Sequence, residues 1–458
     1  MGKKNFDFDY VIIGSGSAGS AAANLAAEAG LKTAVVEANS WGGTGLNGSD
    51  TASFAAFSAS HLYSEAVNGV RFGLSSSSLK FNYPTMLNWQ AFAEKRATVN
   101  QKKSFEDLGV TCFHGFANFL SPYEISVGTK RITASHFLIA TGASLFNGNI
   151  SGLESVVCLN PSSALKLKRL PKTIFIVGGG STGCELAQYF AELGVGTYLG
   201  ETSSRLLPRE DAEAGKIIEL YLEECCKTKI LTQSRVISVE NVSNGKKVTF
   251  LRGGAEKTVI VDEIVLATGT RPIIDLGLEN TGVKYTPSGI KVDRYLQTSV
   301  KHIYAAGDVL GSHISSAERA SYEGTLATAN IINRTRNVAN YSGYIRMTNT
   351  YPAIATTGLT EEECITKNIK TKSSVTTLSS VPAANIHDFR AGFVKITINA
   401  ATNKIIGATV VCPNADVVIQ ELAFAVRHGL TPLHIASAPH VASGWSEAVH
   451  TAARKLAK

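Results

Sequence analysis

The sequence predicts an α/β protein: two copies of one strand, glycine turn, helix and strand unit, followed by a C-terminal α+β part. Three observations carry this expectation. The pattern Gly-x-Gly-x-x-Gly occurs twice, as Gly14, Gly16, Gly19 and as Gly178, Gly180, Gly183, each time directly after an apolar run. Further along each copy comes an echo, Phe137-Leu-Ile-Ala-Thr-Gly142 and then Glu263-Ile-Val-Leu-Ala-Thr-Gly269. Beyond Tyr341 the glycine pattern stops, and strand-like and helix-like stretches alternate. An internal repeat of this kind is far more specific than either copy alone.

In the first copy, Asp9-Tyr-Val-Ile-Ile reads as a short buried strand running into the glycines. An alanine-rich helix over 20–29 ends at Gly30, and a second strand over 33–36 ends on Glu37. The first glycine allows the tight turn, the second lets backbone N–H groups approach a pyrophosphate, and the third lets helix and strand pack closely. Glu37, about twenty residues after the turn, suits ribose hydroxyls. The stretch Trp41 to Phe54 (W-G-G-T-G-L-N-G-S-D-T-A-S-F) follows, where the reactive end of a bound dinucleotide is expected. Residues 57–100 are poorly punctuated, with a polar run at 75–78 that reads as a solvated loop. A strand from His136 then closes on Thr141-Gly142.

The second copy starts at Thr173-Ile-Phe-Ile-Val, continues as a helix over 184–193, breaks at Gly194 and returns as a strand ending near Glu201. Glu201 stands at the ribose position with no cluster of arginines beside it, which favours NAD over NADP; Arg205 reads as a loop residue. Strands with hairpin turns at Asn244-Gly245 and Gly253-Gly254 lead on to Gly269. His302-Ile-Tyr-Ala-Ala-Gly307-Asp308 is a strand ending on Gly-Asp, where an acid can take the hydroxyls of a sugar-alcohol chain; the spacing alone fits an ordinary strand-end turn equally well. After Tyr341, strands near Phe393 and Ile405 and helices over 416–428 and 446–456 predict an antiparallel sheet with packed helices.

Composition bounds the function. The 458 residues are 44% hydrophobic and 18% charged, enough for several domains with proper cores. The net charge of +7 is dispersed, and stacking aromatics are not interleaved with the basic residues, which argues against nucleic acid as a partner. The start of the chain lacks a secretory signal pattern, and no apolar stretch reaches the roughly eighteen residues of a membrane span, so a cytoplasmic protein is expected. Seven cysteines are scattered without a C-x-x-C pair or metal-ligand spacing; Cys225-Cys226 is read as a structural pair within a helical segment over 219–227, and no metal is expected.

These ordered motifs resemble, over nearly the whole length, the flavin-dependent pyridine-nucleotide disulfide oxidoreductases, the family of lipoamide dehydrogenase, mercuric reductase and glutathione reductase. The resemblance rests on Gly14, Gly16, Gly19 with Glu37, Gly42-Gly43-Thr44, Ala140-Thr141-Gly142, Gly178, Gly180, Gly183 with Glu185, Ala267-Thr268-Gly269, Gly307-Asp308 and Gly358-Leu359-Thr360-Glu361. It implies two Rossmann-like dinucleotide-binding domains, for FAD and for NADH, and a C-terminal domain that builds a homodimer. The implied division is 1–150 and 273–340 for FAD, 151–272 for NAD, and 341–458 for dimerisation. Asp308 is implied on the ribityl chain.

Both catalytic parts of that family depart from its pattern. The paired cysteines of C-x-x-x-x-C are Gly45 and Asp50, the lysine that pairs with the glutamate beside the flavin is Phe54, and the histidine of His-Pro-Thr-x-x-Glu is Ala442, while Glu447 is retained. Glu185 is thereby expected to lack its partner, and His440 lies two residues before the vacant histidine position. The expected function is a FAD-dependent NAD(P)H oxidoreductase, NADH preferred and NADPH the alternative, passing electrons to a small acceptor such as a quinone. Glu185, Asp50 and Glu447 are the candidate catalytic residues. Asp50 and Glu185, if near each other, raise each other's pKa, and the flavin potential is expected to be low. Two other functions stay open: a nucleotide transhydrogenase, or a non-catalytic FAD-binding homologue acting as partner or sensor.

Overall fold

The computed structural model describes residues 5–43, 50–74, 79–97, 101–311, 316–334 and 336–458. Its residues group into two compact units: 1–55, 88–146 and 269–340 in one, and 56–87, 147–268 and 341–458 in the other.

In the first unit the strand Phe8–Ile13 lies parallel between Thr33–Glu37 and Lys130–Ile139, with Tyr10 opposite Thr33 on one side and His136 on the other. Thr111–His114 extends the parallel row beyond Thr33–Glu37, and Ile303–Ala305 extends it beyond Lys130–Ile139. Strands flanked on both sides read as continuous apolar runs, and Val11, Ile12, Val35 and Leu138 are all fully buried. The crossover helix Ser17–Glu28 has no acidic residue in its first turn and no basic residue in its last, and it packs through Ala18, Ala22, Ala23 and Ala26. Small residues on that face allow the close helix-to-sheet approach. One face of this row packs on the helix and the other shares a core with the antiparallel strands Ala117–Ser121 and Glu124–Val127, so the first unit contains the βαβ unit that the first fingerprint predicts.

The second unit repeats the design. Thr173–Val177 lies parallel between Gly196–Gly200 and Glu263–Leu266, with Lys229–Leu231 beyond Gly196–Gly200. The expected hairpins form a three-stranded antiparallel sheet, Ser234–Val242, Gly245–Arg252 and Ala255–Val261, turning where Asn244-Gly245 and Gly253-Gly254 predict. The C-terminal segment is a five-stranded antiparallel sheet, in the order Ile345–Thr348, Ala353–Gly358, Ile405–Cys412, Phe393–Asn399, Thr371–Thr377. The helices Ala415–His428 and Glu447–Leu456 cover it, and Ile396, Val410, Ile419, Leu422 and Val449 share its core.

One stretch left open by the sequence gains elements, and one reading needs correction. The poorly punctuated residues 57–100 hold the greater part of the helix Asp50–Val67 and all of Tyr83–Ala97. In the first of these Ala52, Ala56 and Ser60 are buried at four-residue spacing, so the inward face is too small to show as an apolar stripe. The vicinal cysteines are not inside a helix: Ala212–Glu224 ends before them, and Cys225 is its exposed C-cap. The polar run at 75–78 lies outside the described residues. No described helix is long and apolar enough to cross a membrane.

Candidate nucleotide-binding sites

The three glycines of each fingerprint have different physical reasons, and the difference points to a ligand. Gly14 and Gly178 have φ of +104° and +112°, and an added Cβ would stand 2.3 Å from the Ala140 carbonyl oxygen and 2.4 Å from that of Ala267. At Gly19 and Gly183 a Cβ would meet the carbonyl oxygens of Gly14 and Gly178 at 1.9 and 1.8 Å. The protein's own packing demands these four. Gly16 and Gly180 differ: their φ values of −65° and −75° suit any residue. Among the described residues a Cβ on Gly16 meets only Gly43 Cα, at 4.0 Å, and a Cβ on Gly180 meets nothing within 4 Å. Each opens a helix at its N-terminus, where unpaired N–H groups and the helix dipole favour an anion. A bare, unstrained glycine facing open space at that point fits a pyrophosphate.

Each site has an acid that braces its glycine turn. Glu37 is buried and accepts from Ser15 N and Ser15 Oγ, at 2.9 and 2.6 Å, through Oε2, and from Asn39 N at 2.8 Å through Oε1. Glu201 does the same, accepting from Gly179 N at 2.7 Å, Ser203 N at 2.6 Å and Thr202 Oγ1 at 3.0 Å. Burial alone would raise the Glu201 carboxyl, but the hydrogen bonds from Ser203, Gly179 and Thr202 together hold it below the usual value, so it is a carboxylate at neutral pH. The sequence pointed these acids at ribose; their role in holding the loop was missed, because the backbone donors they meet are brought near only by folding.

Ser15 also ties the opening stretch to the first site. Its hydroxyl accepts from Gly42 N at 2.9 Å, and Gly43, at φ +62°, lies so close to Gly16 that a Cβ would approach its Cα to 2.7 Å. Thr44 and Gly45 lie outside the described residues, as does the Asp50 side chain. Thr141 Oγ1 donates to the Ile273 carbonyl at 2.7 Å, and Gly142 O accepts from Ile273 N. Gly269 O accepts from Phe146 N, so Thr141, Gly142 and Gly269 all lie where strands Ala143–Leu145 and Thr270–Pro272 cross.

Gly307 and half-buried Asp308 begin a short 3₁₀ turn after the strand Ile303–Ala305. Gly307 N donates to Glu323 Oε2 at 2.7 Å, and the other Glu323 oxygen receives Arg319 at 2.8 Å. Both side chains are buried, Glu323 completely. Sequence reading missed this pair; an Arg and a Glu four apart look like a surface helix pair until burial is known.

On the second fingerprint helix, Ser181–Glu192, Glu185 meets donors other than the family's lysine, whose position is Phe54: its Oε1 accepts from Asn349 N at 2.6 Å and Asn349 Nδ2 at 3.0 Å. Both terminal nitrogens of Arg205 are engaged, donating to the carbonyls of Leu207, Glu210 and Pro208 and to Glu362. In the C-terminal segment Glu447 begins the helix Glu447–Leu456; it faces His450 Nδ1 at 3.4 Å and accepts from Thr451. His440 contacts Glu421 at 3.1 Å and stacks on His450 at 4.7 Å. Both are therefore engaged within that segment.

All seven cysteines are free thiols. Burial pushes every one up, Cys112 to about 11 and Cys412 to about 12. Cys158, Cys184, Cys225, Cys226 and Cys364 move in the same direction, again chiefly through burial. Among the described residues no group of three or more His, Cys, Asp or Glu side chains is arranged to hold a metal.

Comparison with known proteins agrees with this architecture. Residues 8–324 match the pyridine nucleotide-disulphide oxidoreductase profile, and residues 345–453 match the dimerisation domain of the same group. The chain belongs to the pyridine nucleotide-disulphide oxidoreductase family, flavoproteins that use FAD and NAD(P)H, and carries two nucleotide-binding domains and a C-terminal dimerisation domain. It is 34% identical over 435 residues to a mercuric reductase of Bacillus cereus, covering 93% of this chain and 68% of that protein. It is 30% identical over 458 residues to the mitochondrial dihydrolipoyl dehydrogenase 2 of Arabidopsis thaliana, covering 98% and 90%. Among solved structures, LpdA of Mycobacterium tuberculosis superposes with a TM-score of 0.86 at 25% identity, covering 98% of this chain and 99% of LpdA. An HOCl-induced flavoprotein disulfide reductase of Escherichia coli, at 21% identity and a TM-score of 0.85 over 98% of this chain and 99% of that one, shares the fold.

Proposed function

We propose that this protein is a FAD-dependent NAD(P)H oxidoreductase that prefers NADH and delivers electrons to a small acceptor such as a quinone, without a redox disulfide. One observation carries the reading: no cysteine occurs anywhere from Trp41 to Phe54, and every thiol elsewhere is raised by burial. A thiol must be a thiolate to exchange with a disulfide. When bound, FAD supplies the hydride chemistry. The chain supplies two cleared helix N-termini, at Gly16 and Gly180, and two acids that hold the adjoining turns. Glu37, Gly43 and Asp308 serve the flavin side of this proposal, and Glu185 and Glu201 the nicotinamide side.

Preference for NADH is supported by Glu201 and Arg205 together. Glu201 is an anion at the turn, which repels a 2′-phosphate, and Arg205, the nearby cation that could attract one, already spends its guanidinium on three carbonyls and Glu362. Anaerobic mixing should bleach the flavin with NADH at least roughly tenfold faster than with NADPH, a difference of about 1.4 kcal/mol. Equal rates would favour the transhydrogenase reading, and a flavin that neither nucleotide bleaches would favour a non-catalytic protein.

A second expected result concerns the thiols. Treatment with iodoacetamide near neutral pH should leave NADH-dependent quinone reduction within about twofold of the untreated rate, because no low-pKa thiol is available to alkylate. Near-complete loss of activity would return a cysteine to the electron path and overturn the disulfide-free reading.

A further inference from the structure

We propose that Asn349 is a positioning residue that holds the Glu185 carboxylate ionised and fixed in direction at the second nucleotide site; this rests on reading that site as one for NADH. Its backbone N–H and its side-chain amide both donate to one oxygen of Glu185, at 2.6 and 3.0 Å. Two donors on one carboxylate oxygen favour the charged form and restrict rotation of the group.

The contact is one of three along a single helix face. Ser181 Oγ shares a hydrogen with Thr348 Oγ1 at 2.7 Å, and Gln188 Oε1 accepts from Tyr351 N at 2.8 Å. Positions 181, 185 and 188 are spaced so that they share one side of the helix. Thr348 is buried, so the strap over 348–351 is anchored rather than draped. Glu185 lies on the second turn of the helix that opens at Gly180, past the end where the nucleotide's phosphates are expected, and in the proposed function it serves the nicotinamide side.

A fixed carboxylate there has a specific consequence. The nicotinamide ring of NAD+ is positively charged and that of NADH is neutral, so an ionised Glu185 strengthens binding of NAD+ relative to NADH. Cys184, next along the helix, is a titratable group that feels the Glu185 charge, together with those of Glu201 and Glu219. Glu192 is itself held by Ser60, Gln188 and His61.

The test is to measure dissociation constants of NAD+ and NADH for the intact protein, by fluorescence titration between about pH 6 and about pH 8. In the wild type the affinity ratio should be flat over that range. Asn349→Asp places a second carboxylate against Glu185; the pair shares one proton at the acid end, with charge −1 as in the wild type, and loses it toward the alkaline end, with charge −2, so the ratio should move toward NAD+ by roughly tenfold as pH rises. Asn349→Ala keeps the backbone donor; it should weaken NAD+ by roughly threefold, leave NADH unchanged and keep the wild-type melting temperature. An Asn349→Asp ratio as flat as the wild type, or an Asn349→Ala loss equal for both nucleotides, would overturn the role of Asn349 alone. If Asn349→Asp does not fold, the Asn349→Ala titration decides. A wild type that binds neither nucleotide would overturn the NADH-site reading and this role with it.

Discussion

Gly180→Val is expected to give a protein that unfolds like the wild type yet binds NADH at least roughly a hundredfold more weakly, a loss of about 2.7 kcal/mol. The reason is the contrast among the fingerprint glycines. At Gly180 the backbone is ordinary and the space beyond it is open among the described residues, so a side chain costs the fold little. That side chain would fill the place where a pyrophosphate must approach the helix N-terminus. Gly16→Val should likewise give a folded protein purified without flavin. Gly183→Ala should do the opposite: its Cβ would stand 1.8 Å from the Gly178 carbonyl oxygen, so the cost falls on folding, about 3 kcal/mol or more. Nucleotide titration and thermal unfolding of the three variants separate these outcomes. A Gly180→Val protein that binds NADH normally would remove the second site from this helix end.

Glu323→Leu is expected to be the most destabilising single change in the first unit outside the apolar core. It leaves the buried Arg319 guanidinium without this carboxylate and Gly307 N without its acceptor. Removing one member of a buried pair costs about 3–5 kcal/mol, because the surviving charge stays out of water without that counter-ion. Arg319→Leu with Glu323→Leu should recover much of that, since no lone charge remains. Urea unfolding measures both, and flavin content after purification reports on the Gly307-Asp308 turn. If Glu323→Leu costs less than about 1 kcal/mol, the pair behaves as a surface pair and the turn has another anchor.

Much of the fold was legible because its signals are local. The two glycine patterns, the apolar runs before them and the turns at Gly245 and Gly253 depend on residues within a few positions of each other, and all appear at the expected places. The helices Asp50–Val67 and Tyr83–Ala97 were not legible as such. The first buries alanine and serine rather than leucine or valine, so its inward face carries almost no hydrophobic period to read.

The candidate sites divide in the same way. Gly16, Gly180, Glu37 and Glu201 could be named from spacing, because a bound dinucleotide imposes a fixed interval along the chain between turn and acid. Ser15, Asn349, Arg319 and Glu323 could not, because hydroxyl, amide and ion-pair roles depend on which partner folding brings close. Asn349 is 164 residues from Glu185, and Arg205 shows only in three dimensions that its charge is already engaged.

By itself, the sequence determined the repeated α/β design, the family resemblance and the absence of cysteine between Trp41 and Phe54, since each is a matter of residue type at a fixed interval. Only the tertiary structure decided that Glu185 has donors, that Glu323 and Arg319 are buried together, and that four fingerprint glycines serve packing while Gly16 and Gly180 leave open space among the described residues. Contacts between distant residues follow from the free energy of the whole fold, and no local pattern encodes them.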